Sequence, residues 1–266
     1  MKEQRHNEIL RLLAQQRSIK TEVLAAQLGV SLETVRRDIS ALARSGHVRK
    51  VYGGITLASD TIHTTTLENW NVRLNSRREE KAQIALRALD YIEDASMIAL
   101  DIGTTTYQLS RLLSAKKDLS ILTGSLQIAG ELSRSTGHTV YCIGGVVLPG
   151  EDAAGGAFAR DFLEHFASID LFIGGADGLS LTCGVTECHA SVVEVKQQLI
   201  RRARRNVILA DHTKFGVEAT FVSCPVAEMD VLITDTAAPA EDVEALRRRG
   251  VEVVTVPPAG RGNQGT

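Results

Sequence analysis

The start of the chain places apolar side chains at helical spacing in a polar background. Residues 3–16 bring Ile9 and Leu13 onto one face, which predicts an amphipathic helix. A second helix is predicted to be capped by Thr21 and to end at Gly29, because a glycine readily takes the left-handed conformation that closes a helix. The pattern therefore begins with two short helices.

A third helix and a hairpin follow this pair. Ser31 can cap a helix that reaches about Arg44, and Gly46 ends it. Residues 47–57 then contain two short β-prone runs on either side of two adjacent glycines, which predicts a hairpin. Three short helices, a tight turn before the third and a following hairpin predict a winged helix-turn-helix, whose third helix enters the major groove of DNA.

From residue 78 onward the pattern changes to apolar runs that alternate with helical stretches. The predicted strands are residues 97–101, 119–123, 139–143, 169–174, 206–210, 230–234 and 251–256. The predicted helices between them are residues 106–114, 125–134, 158–166, 190–204 and 241–249. Such alternation predicts an α/β domain with a mainly parallel sheet, covered by helices on both faces.

These patterns divide the chain into four segments. Residues 1–57 are predicted to form the winged helix-turn-helix domain and residues 78–256 the α/β domain. The polar residues 58–77, which lack clear periodicity, are predicted to be a linker that can contain some helix, and residues 257–266 a disordered tail.

Composition agrees with two ordinary globular domains. The chain has 266 residues, of which 44% are hydrophobic and 23% charged. No apolar run approaches the roughly 18 residues that a membrane span needs, so no membrane partner is expected. The polar start does not have the pattern of a secretory signal, and we expect a cytoplasmic protein.

Charge is distributed unevenly along the chain. Residues 1–57 carry a net charge of +5 and the remainder −7, which together give the net charge of −2. This asymmetry indicates a basic end that meets an anion and an acidic body that keeps the protein in solution.

The third predicted helix separates an apolar side from a polar side. Val35 and Ile39 fall on the apolar side, whereas Arg37 projects from the opposite one. Arginine forks suit guanine edges and phosphates, and serine and threonine hydroxyls reach either. The predicted DNA contacts are Ser31, Glu33, Thr34, Arg36, Arg37, Ser40 and Arg44 on this helix, with Arg49, Lys50 and Tyr52 on the hairpin.

The same segment resembles the helix-turn-helix signature of the DeoR family of bacterial repressors. The matching residues are Arg5, Ile9 and Leu13, then Ser31, Thr34, Val35, Arg36, Arg37, Asp38 and Ile39. The resemblance implies sequence-specific binding to double-stranded operator DNA. A carboxylate is repelled by phosphate, so we expect Asp38 to pair with a nearby arginine and orient it.

The resemblance continues through nearly the whole chain. DIGTTT (101–106), LTGS (122–125), IGG (143–145), GADG (175–178), EVK (194–196) and ADHTKFG (210–216) are similar, in that order, to the effector domain of the family. That domain is similar to the Rossmann-like fold of sugar-phosphate isomerases, including ribose-5-phosphate isomerase. The resemblance therefore implies a site for a phosphorylated sugar.

The residues themselves support an anion site at strand ends. DIGTTT follows a predicted strand and opens a helix, so its backbone N–H groups and hydroxyls can hold a phosphate. In open α/β sheets ligands collect at the carboxyl ends of the strands, where carboxylates accept from sugar hydroxyls and a lysine supplies a mobile cation. The predicted effector contacts are Asp101, Gly103, Thr104, Thr105, Thr106, Ser125, Asp177, Lys196 and Lys214.

Two departures from the family pattern bear on the choice of effector. The family commonly has asparagine where this chain has Gly124, so one side-chain contact to the ligand is missing. Cys188 and His189 lie where a ligand-facing loop is expected and can tune effector choice. The identity of the effector stays open.

Two other functions compete with that of a DNA-binding repressor. An active sugar-phosphate isomerase would need a general base, for which Asp177, Glu187 and Glu194 are the candidates; the stretch after GADG lacks the lysine and glycine-rich turn of the isomerases. A metal-sensing regulator would use Cys183 and Cys188 with His189, but their spacing matches no common zinc pattern.

We predict a repressor, not an enzyme, whose DNA affinity is changed by a small phosphorylated sugar or polyol. No cofactor or metal is expected. A homo-oligomer is expected, since paired half-sites usually need two DNA-binding domains.

Overall fold

A computed structural model of the chain describes residues 2–15, 18–44, 48–51, 54–57, 70–93, 95–113, 118–134, 137–148 and 151–257. The chain divides into two units, residues 1–66 and residues 67–266. Each unit has its own hydrophobic core.

The first unit consists of short helices and a small antiparallel sheet. In chain order its elements are α1 (Lys2–Gln15), β1 (Ser18–Lys20), α2 (Thr21–Leu28), α3 (Leu32–Arg44), β2 (Val48–Val51) and β3 (Gly54–Leu57). The strand order is β1-β3-β2. Ile9, Leu13 and Leu24 pack with Val35 and Ile39 of α3 in the core, as the apolar spacing predicts.

The predicted capping residues are confirmed at the turn between α2 and α3 but not at the start of α2. Gly29 has a φ of +64° and closes α2. Ser31 Oγ accepts a hydrogen bond from the backbone N–H of Thr34 at 3.3 Å and so caps α3. The predicted cap at Thr21 is wrong, because Thr21 is already the first helical residue and follows Lys20, which makes no side-chain cap.

The second unit contains the remaining elements. In chain order they are α4 (Trp70–Asn75), α5 (Arg78–Ala88), β4 (Met97–Leu100), α6 (Thr104–Leu113), β5 (Ser120–Thr123), α7 (Leu126–Leu132), β6 (Thr139–Cys142), β7 (Val146–Leu148), β8 (Ala153–Gly155), α8 (Ala157–Leu163), β9 (Leu171–Gly174), β10 (Gly178–Ser180), β11 (Gly184–Glu187), α9 (Ala190–Arg202), β12 (Asn206–Leu209), β13 (Phe221–Cys224), β14 (Val231–Asp235), α10 (Ala240–Arg248) and β15 (Glu252–Val256).

A parallel sheet of seven strands, counted over the described residues, forms the centre of this unit. Its order is β15-β14-β12-β9-β4-β5-β6. The chain leaves β4 toward β5 and β6 and then returns to the other side of β4 with β9 and β12. Because successive connections run in opposite directions from this point, a crevice opens at the carboxyl ends of β4 and β9.

Helices cover both faces of the sheet, as the alternation of strands and helices predicts. One core packs α5, α6 and α7 against the sheet, and the other packs α8, α9 and α10. The strands between them are almost continuously buried, which explains their uninterrupted apolar sequences.

Several short strands were not predicted. β10, β11 and β13 form an antiparallel sheet, and β7 pairs with β8. Each has only three or four residues, which is too short for alternation of apolar and polar residues to be recognised.

The second half of the predicted linker contains a helix. Residues 70–75 form α4, whose Trp70 is buried and lies edge-on against Tyr107 with the ring centroids 5.9 Å apart. The contact between Trp70 and Tyr107 therefore anchors α4 on the second unit, although this helix is too short to show apolar periodicity. The rest of the predicted linker and nearly all of the predicted tail lie outside the described residues.

Across the part of the chain that the structure describes, no helix has the length and hydropathy needed to cross a membrane.

We predict that Gly54→Ala destabilises the first unit. Gly54 pairs with both β1 and β2, and a Cβ atom there would lie 2.4 Å from the carbonyl oxygen of Ile19. Separating these strands should cost about 1–3 kcal/mol, measured by calorimetric unfolding of the full chain. The control is Gly130→Ala in α7, where a Cβ meets nothing within 4 Å; an equal loss in both variants would contradict the prediction.

Candidate functional site

A cavity of about 270 Å³ occupies the crevice at the carboxyl ends of β4, β9 and β12. Its wall contains residues that directly follow these strands, including Ile102–Thr105, Gly175–Asp177 and Lys214. Residues from α4, α5, the turn before β8, the end of β11 and the start of α9 also line it, among them His189, which the sequence placed in a ligand-facing loop. The fold thus brings together segments that lie far apart in the sequence.

The N-terminus of α6 opens into this cavity. Gly103, Thr104 and Thr105 line it, and Gly103 has a φ of +146° that strongly favours glycine. The first backbone N–H groups of a helix have no intrahelical partner, and the helix dipole is positive at this end. The ten-residue helix can therefore bind an anion at this end.

Cationic side chains face the same space. They are Arg73, Arg77, Lys81 and Lys214. Lys81 Nζ donates to the backbone oxygen of Arg73 at 2.5 Å. Together with the helix terminus, these groups give the cavity several donors for a phosphate or carboxylate.

Carboxylates balance these cations. Glu151, Asp177, Glu187 and Asp211 also line the cavity. Arg73 Nη2 donates to Glu151 Oε2 at 2.5 Å, and Asp177 Oδ2 accepts from the backbone N–H of Cys188 at 3.0 Å. Asp211 accepts from the backbone N–H of Thr213 at 3.0 Å. Such carboxylates suit the hydroxyl groups of a polyol, because an ionised carboxylate only accepts hydrogen bonds.

Lys196 lies fully buried beneath the cavity. Its Nζ donates to the backbone oxygen of Gly175 at 2.6 Å, pairs with Asp101 Oδ2 at 2.9 Å and also donates to Glu187. Ser223 Oγ lies 3.2 Å from the same Glu187 oxygen. One cation therefore serves two buried carboxylates, and the three together would carry a net negative charge if all were ionised.

Burial changes the protonation of this cluster. Loss of hydration raises the pKa of Glu187 to about 8, against the opposing charge of Lys196 and with the added repulsion of Asp177 and Asp101. Burial by itself lowers the pKa of Lys196, but the charges of Asp101 and Glu187 outweigh it and hold that pKa above its ordinary value. Burial thus favours the protonated form of Glu187, and the charge of Asp101 favours the charged form of Lys196.

Five of the predicted effector residues line the cavity. They are Gly103, Thr104, Thr105, Asp177 and Lys214. The other four, Asp101, Thr106, Ser125 and Lys196, are not among the residues that line it. Asp101 and Lys196 are engaged with each other below the cavity.

Thr106 and Ser125 are occupied by their own helices. Thr106 Oγ1 donates to the backbone oxygen of Gly103 at 2.9 Å, and Ser125 Oγ accepts from the backbone N–H of Ile128 at 3.2 Å. Residues 152–154 also cover the LTGS turn, because the backbone of Ala154 bonds to that of Gly124 at 2.8 Å. This cover separates Ser125 from the cavity.

The sequence analysis did not identify the cations contributed by α4 and α5. Arg73, Arg77 and Lys81 recur every fourth residue, which is the spacing of one helix face. This signal was available, but residues 58–77 were predicted to be a linker. Glu151 had no comparable signal, since it lies in a turn. Asp211 lies within the ADHTKFG segment that resembles the family, but it was not among the predicted contacts.

The structure separates the two cysteines that a metal sensor would use, and so does not support that hypothesis. Cys183 and Cys188 lie on either side of β11, and five residues of extended chain span roughly 16 Å. The described residues contain no group of three or more His, Cys, Asp or Glu side chains arranged to hold a metal ion.

The first unit presents a polar surface on α3. Glu33, Arg36 and Arg37 are exposed, whereas Thr34 and Ser40 are half-buried. Arg37 Nη2 donates to Glu33 Oε1 at 2.5 Å. Ser31 is also exposed, and its hydroxyl caps α3.

The remaining predicted contacts of this unit are only partly described. Arg44 lies at the end of α3 and Arg49 and Lys50 on β2, but their side chains, and Tyr52 as a whole, lie outside the described residues. The position of the hairpin beside α3 is consistent with the expected winged helix-turn-helix.

Asp38 makes the expected pairing inside this unit. It is buried and accepts from Arg5 Nε at 2.5 Å, and His6 Nε2 lies 3.0 Å from its other oxygen. Burial alone would raise the pKa of Asp38, but the hydrogen bonds from Arg5 and His6 hold it below its usual value. The carboxylate thus joins α1 to α3.

Family models match both units. The model described as the DeoR C terminal sensor domain matches residues 76–236, which is more than half of the chain. The model described as the DeoR-like helix-turn-helix domain matches residues 5–61.

Similar proteins of known name are bacterial regulators. The glycerol-3-phosphate regulon repressor of Escherichia coli is 28% identical over 250 residues, which cover 94% of this chain and 97% of that protein. The HTH-type transcriptional regulator GolR of Listeria innocua is 33% identical over 232 residues, with coverage of 87% and 90%. The HTH-type transcriptional repressor GlcR of Bacillus subtilis is 31% identical over 254 residues, with coverage of 95% for both.

Solved structures give weaker matches. A D-ribose-5-phosphate isomerase in complex with phospho-erythronic acid has a TM-score of 0.40 and 21% identity, over 52% of this chain and 54% of that chain. A DeoR family transcriptional regulator from Listeria monocytogenes has a TM-score of 0.35 and 13% identity, over 74% and 88%.

We predict that Glu187 makes the stability of the second unit depend on pH. Its pKa is near 4.5 when unfolded and about 8 when folded. The stability that the bound proton contributes is therefore complete below pH 4.5 and is lost as the pH rises to about 8, with a slope of at most about 1.4 kcal/mol per pH unit. Glu187→Gln should flatten this decline.

Urea unfolding followed by Trp70 fluorescence measures this unit alone, because the chain has a single tryptophan. Glu194→Gln, a change at an exposed carboxylate on α9, is the matched control and should keep the decline. Parallel pH profiles for wild type and Glu187→Gln would refute the assignment.

Proposed function

The chain belongs to the DeoR family of DNA-binding transcription regulators, and we propose that it represses a carbohydrate-utilisation operon in response to a phosphorylated sugar or polyol. The observation that carries the effector proposal is the cavity at the switch point of the sheet. It combines the N-terminus of a ten-residue helix with four cationic side chains.

The cavity has complementary chemistry for the two parts of such a ligand. The N–H groups at the start of α6, with Lys214 and the arginines, suit a phosphate. Asp177 and Asp211 suit sugar hydroxyls, because they accept hydrogen bonds. A volume of about 270 Å³ suits a small phosphorylated metabolite.

Operator DNA is proposed to lie against α3. Arg36 and Arg37 are exposed there and Thr34 and Ser40 lie beside them, so the helix offers both charge and hydroxyl groups to a major groove. The Glu33–Arg37 pair is exposed and therefore costs little to open when DNA arrives.

The related proteins are named as regulators rather than enzymes. Glu187 and Lys196 could suggest an isomerase centre, but Lys196 is bound by Asp101, Glu187 and Gly175 beneath the cavity. A buried ammonium with three partners stabilises the site and is poorly placed to polarise a substrate carbonyl.

We also infer that the protein is a homo-oligomer, because paired operator half-sites need two DNA-binding domains. We infer that it acts in the cytoplasm.

We predict that Arg37→Ala weakens binding to the operator while the fold is retained. Arg37 is exposed and contacts only Glu33 among the described residues, so its loss removes no core contact. A lost base contact should cost about 1–3 kcal/mol, measured by gel-shift titration at fixed salt. The matched control is Arg87→Ala on α5, which breaks the exposed pair with Asp90; wild-type affinity for Arg37→Ala would exclude Arg37 as a DNA contact.

We predict that the protein binds sugar phosphates but not the corresponding sugars. Calorimetry with glycerol 3-phosphate and hexose 6-phosphates, each beside its unphosphorylated form, tests this directly. Lys214→Gln should weaken phosphate binding by about 1.5–3 kcal/mol, the contribution of a hydrogen bond to a charged group. Lys20→Gln, at an exposed lysine of the first unit, should leave it unchanged.

The result that counts against the effector proposal is equal affinity for sugar and sugar phosphate. Binding that leaves operator affinity unchanged would show a ligand without regulation, because an effector must prefer one of two states of the protein.

A further inference from the structure

Arg73 occupies an unusual position in the wall of the cavity. It lies on α4, and its guanidinium contacts Glu151 at 2.5 Å through Nη2 and Asp177 at 3.9 Å through Nη1. The guanidinium carbon lies 5.8 Å from the centroid of the Trp70 ring. Two carboxylates from distant parts of the chain thus contact the same guanidinium.

The hydrogen bonding of Arg73 is incomplete. Its Nε is buried and has no hydrogen-bond partner among the described residues, although a guanidinium presents its donors as a planar fork. A buried donor without a partner is unfavourable. A phosphate that accepts from two edges of the fork would satisfy it and would compete with Glu151 for the same group.

The backbone of Arg73 is tied to the cavity as well. Its carbonyl oxygen accepts from Lys81 Nζ, another residue of the cavity wall. Arg77, which ends the turn after α4, has a φ of +51°, a conformation that residues other than glycine seldom adopt and that is found at switch regions. The cavity wall therefore includes one cation within the six-residue helix α4 and a second in the turn that follows it.

The helix α4, which carries Arg73, lies close in sequence to the DNA-binding unit. Residues 58–69 join the last strand of the DNA-binding unit to Trp70, the first residue of α4. In sequence, α4 is therefore the first described element of the second unit after that connection.

We propose that Arg73 is the residue through which an anionic effector acts on DNA binding, by exchanging Glu151 for the anion and thereby moving α4. This inference rests on the proposed function for the nature of the ligand, but not for the coupling itself. The ligand-free state keeps the Arg73–Glu151 pair, and the ligand-bound state breaks it. The effector shifts the balance because it binds only the second arrangement well.

Glu151→Gln tests the exchange without any ligand. The amide keeps the size of the side chain but removes the competing charge, so the variant should resemble the ligand-bound protein. Its operator affinity in the absence of ligand should move toward the value that wild type reaches at saturating phosphate. The matched control is Glu244→Gln, which breaks the exposed pair with Arg247 on α10 and should leave operator affinity unchanged.

Trp70 reports on α4 itself, since it is the only tryptophan in the chain. Inorganic phosphate and glycerol 3-phosphate serve as probes. Both should change the emission of Trp70 in wild type, and Glu151→Gln should lower the half-saturating concentration about five- to tenfold, within the usual range of coupling between sites. Arg73→Lys keeps the charge but loses the fork, and should bind phosphate while losing the response of operator affinity.

The outcomes separate this inference from the proposed function. If calorimetry detects no sugar phosphate but Glu151→Gln still shifts operator affinity, the coupling stands and the effector class is wrong. If sugar phosphate binds and regulates while Glu151→Gln and Arg73→Lys both behave as wild type, the coupling through Arg73 is refuted. Circular dichroism of both variants checks that their folds are unchanged.

Discussion

The ammonium group of Lys196 joins the segments that form the floor of the cavity. It contacts Asp101 after β4, the backbone of Gly175 after β9 and Glu187 at the end of β11. A buried charge is tolerated only when it is paired and hydrogen-bonded. These partners satisfy Lys196, and removing Asp101 would leave the charge of Lys196 uncompensated at the point where successive connections of the sheet run in opposite directions. The cavity above it depends on this arrangement.

The walls of the cavity extend the same balance of charges. Four cationic residues and four carboxylates line it: Arg73, Arg77, Lys81 and Lys214, with Glu151, Asp177, Glu187 and Asp211. A phosphorylated polyol needs both kinds of partner, because its phosphate accepts and its hydroxyls donate. The raised pKa of Glu187 reduces the negative charge of the cavity wall at neutral pH. This mixture of charges is the basis of the proposal that the cavity takes a phosphorylated polyol.

The same architecture can serve catalysis or sensing, and the placement of the reactive groups distinguishes the two. Here Lys196 is buried and saturated with partners, whereas Arg73 lies in the wall with one donor unsatisfied. A fixed cation beneath the cavity and an arginine in its wall that can change partners suit a protein that responds to a ligand by changing conformation. The wall helix α4 follows the connection to the DNA-binding unit in the chain, so the groups best able to respond to a ligand are also the ones nearest to that connection in sequence.

The sequence by itself determined the elements whose signals are local. Apolar spacing located α3 and the seven strands of the parallel sheet, Gly29 and Ser31 marked the turn before α3, and DIGTTT after β4 marked the anion site. Only the tertiary structure decided which polar groups line the cavity. Ser125 does not line it, and residues 152–154 bond to the backbone next to Ser125. Arg73 lies in the wall, where Trp70 of the same helix packs on Tyr107 and Glu151 accepts from the guanidinium. These contacts join residues some 25 to 80 positions apart, as roughly counted along the chain, and no periodicity encodes what packs over a side chain.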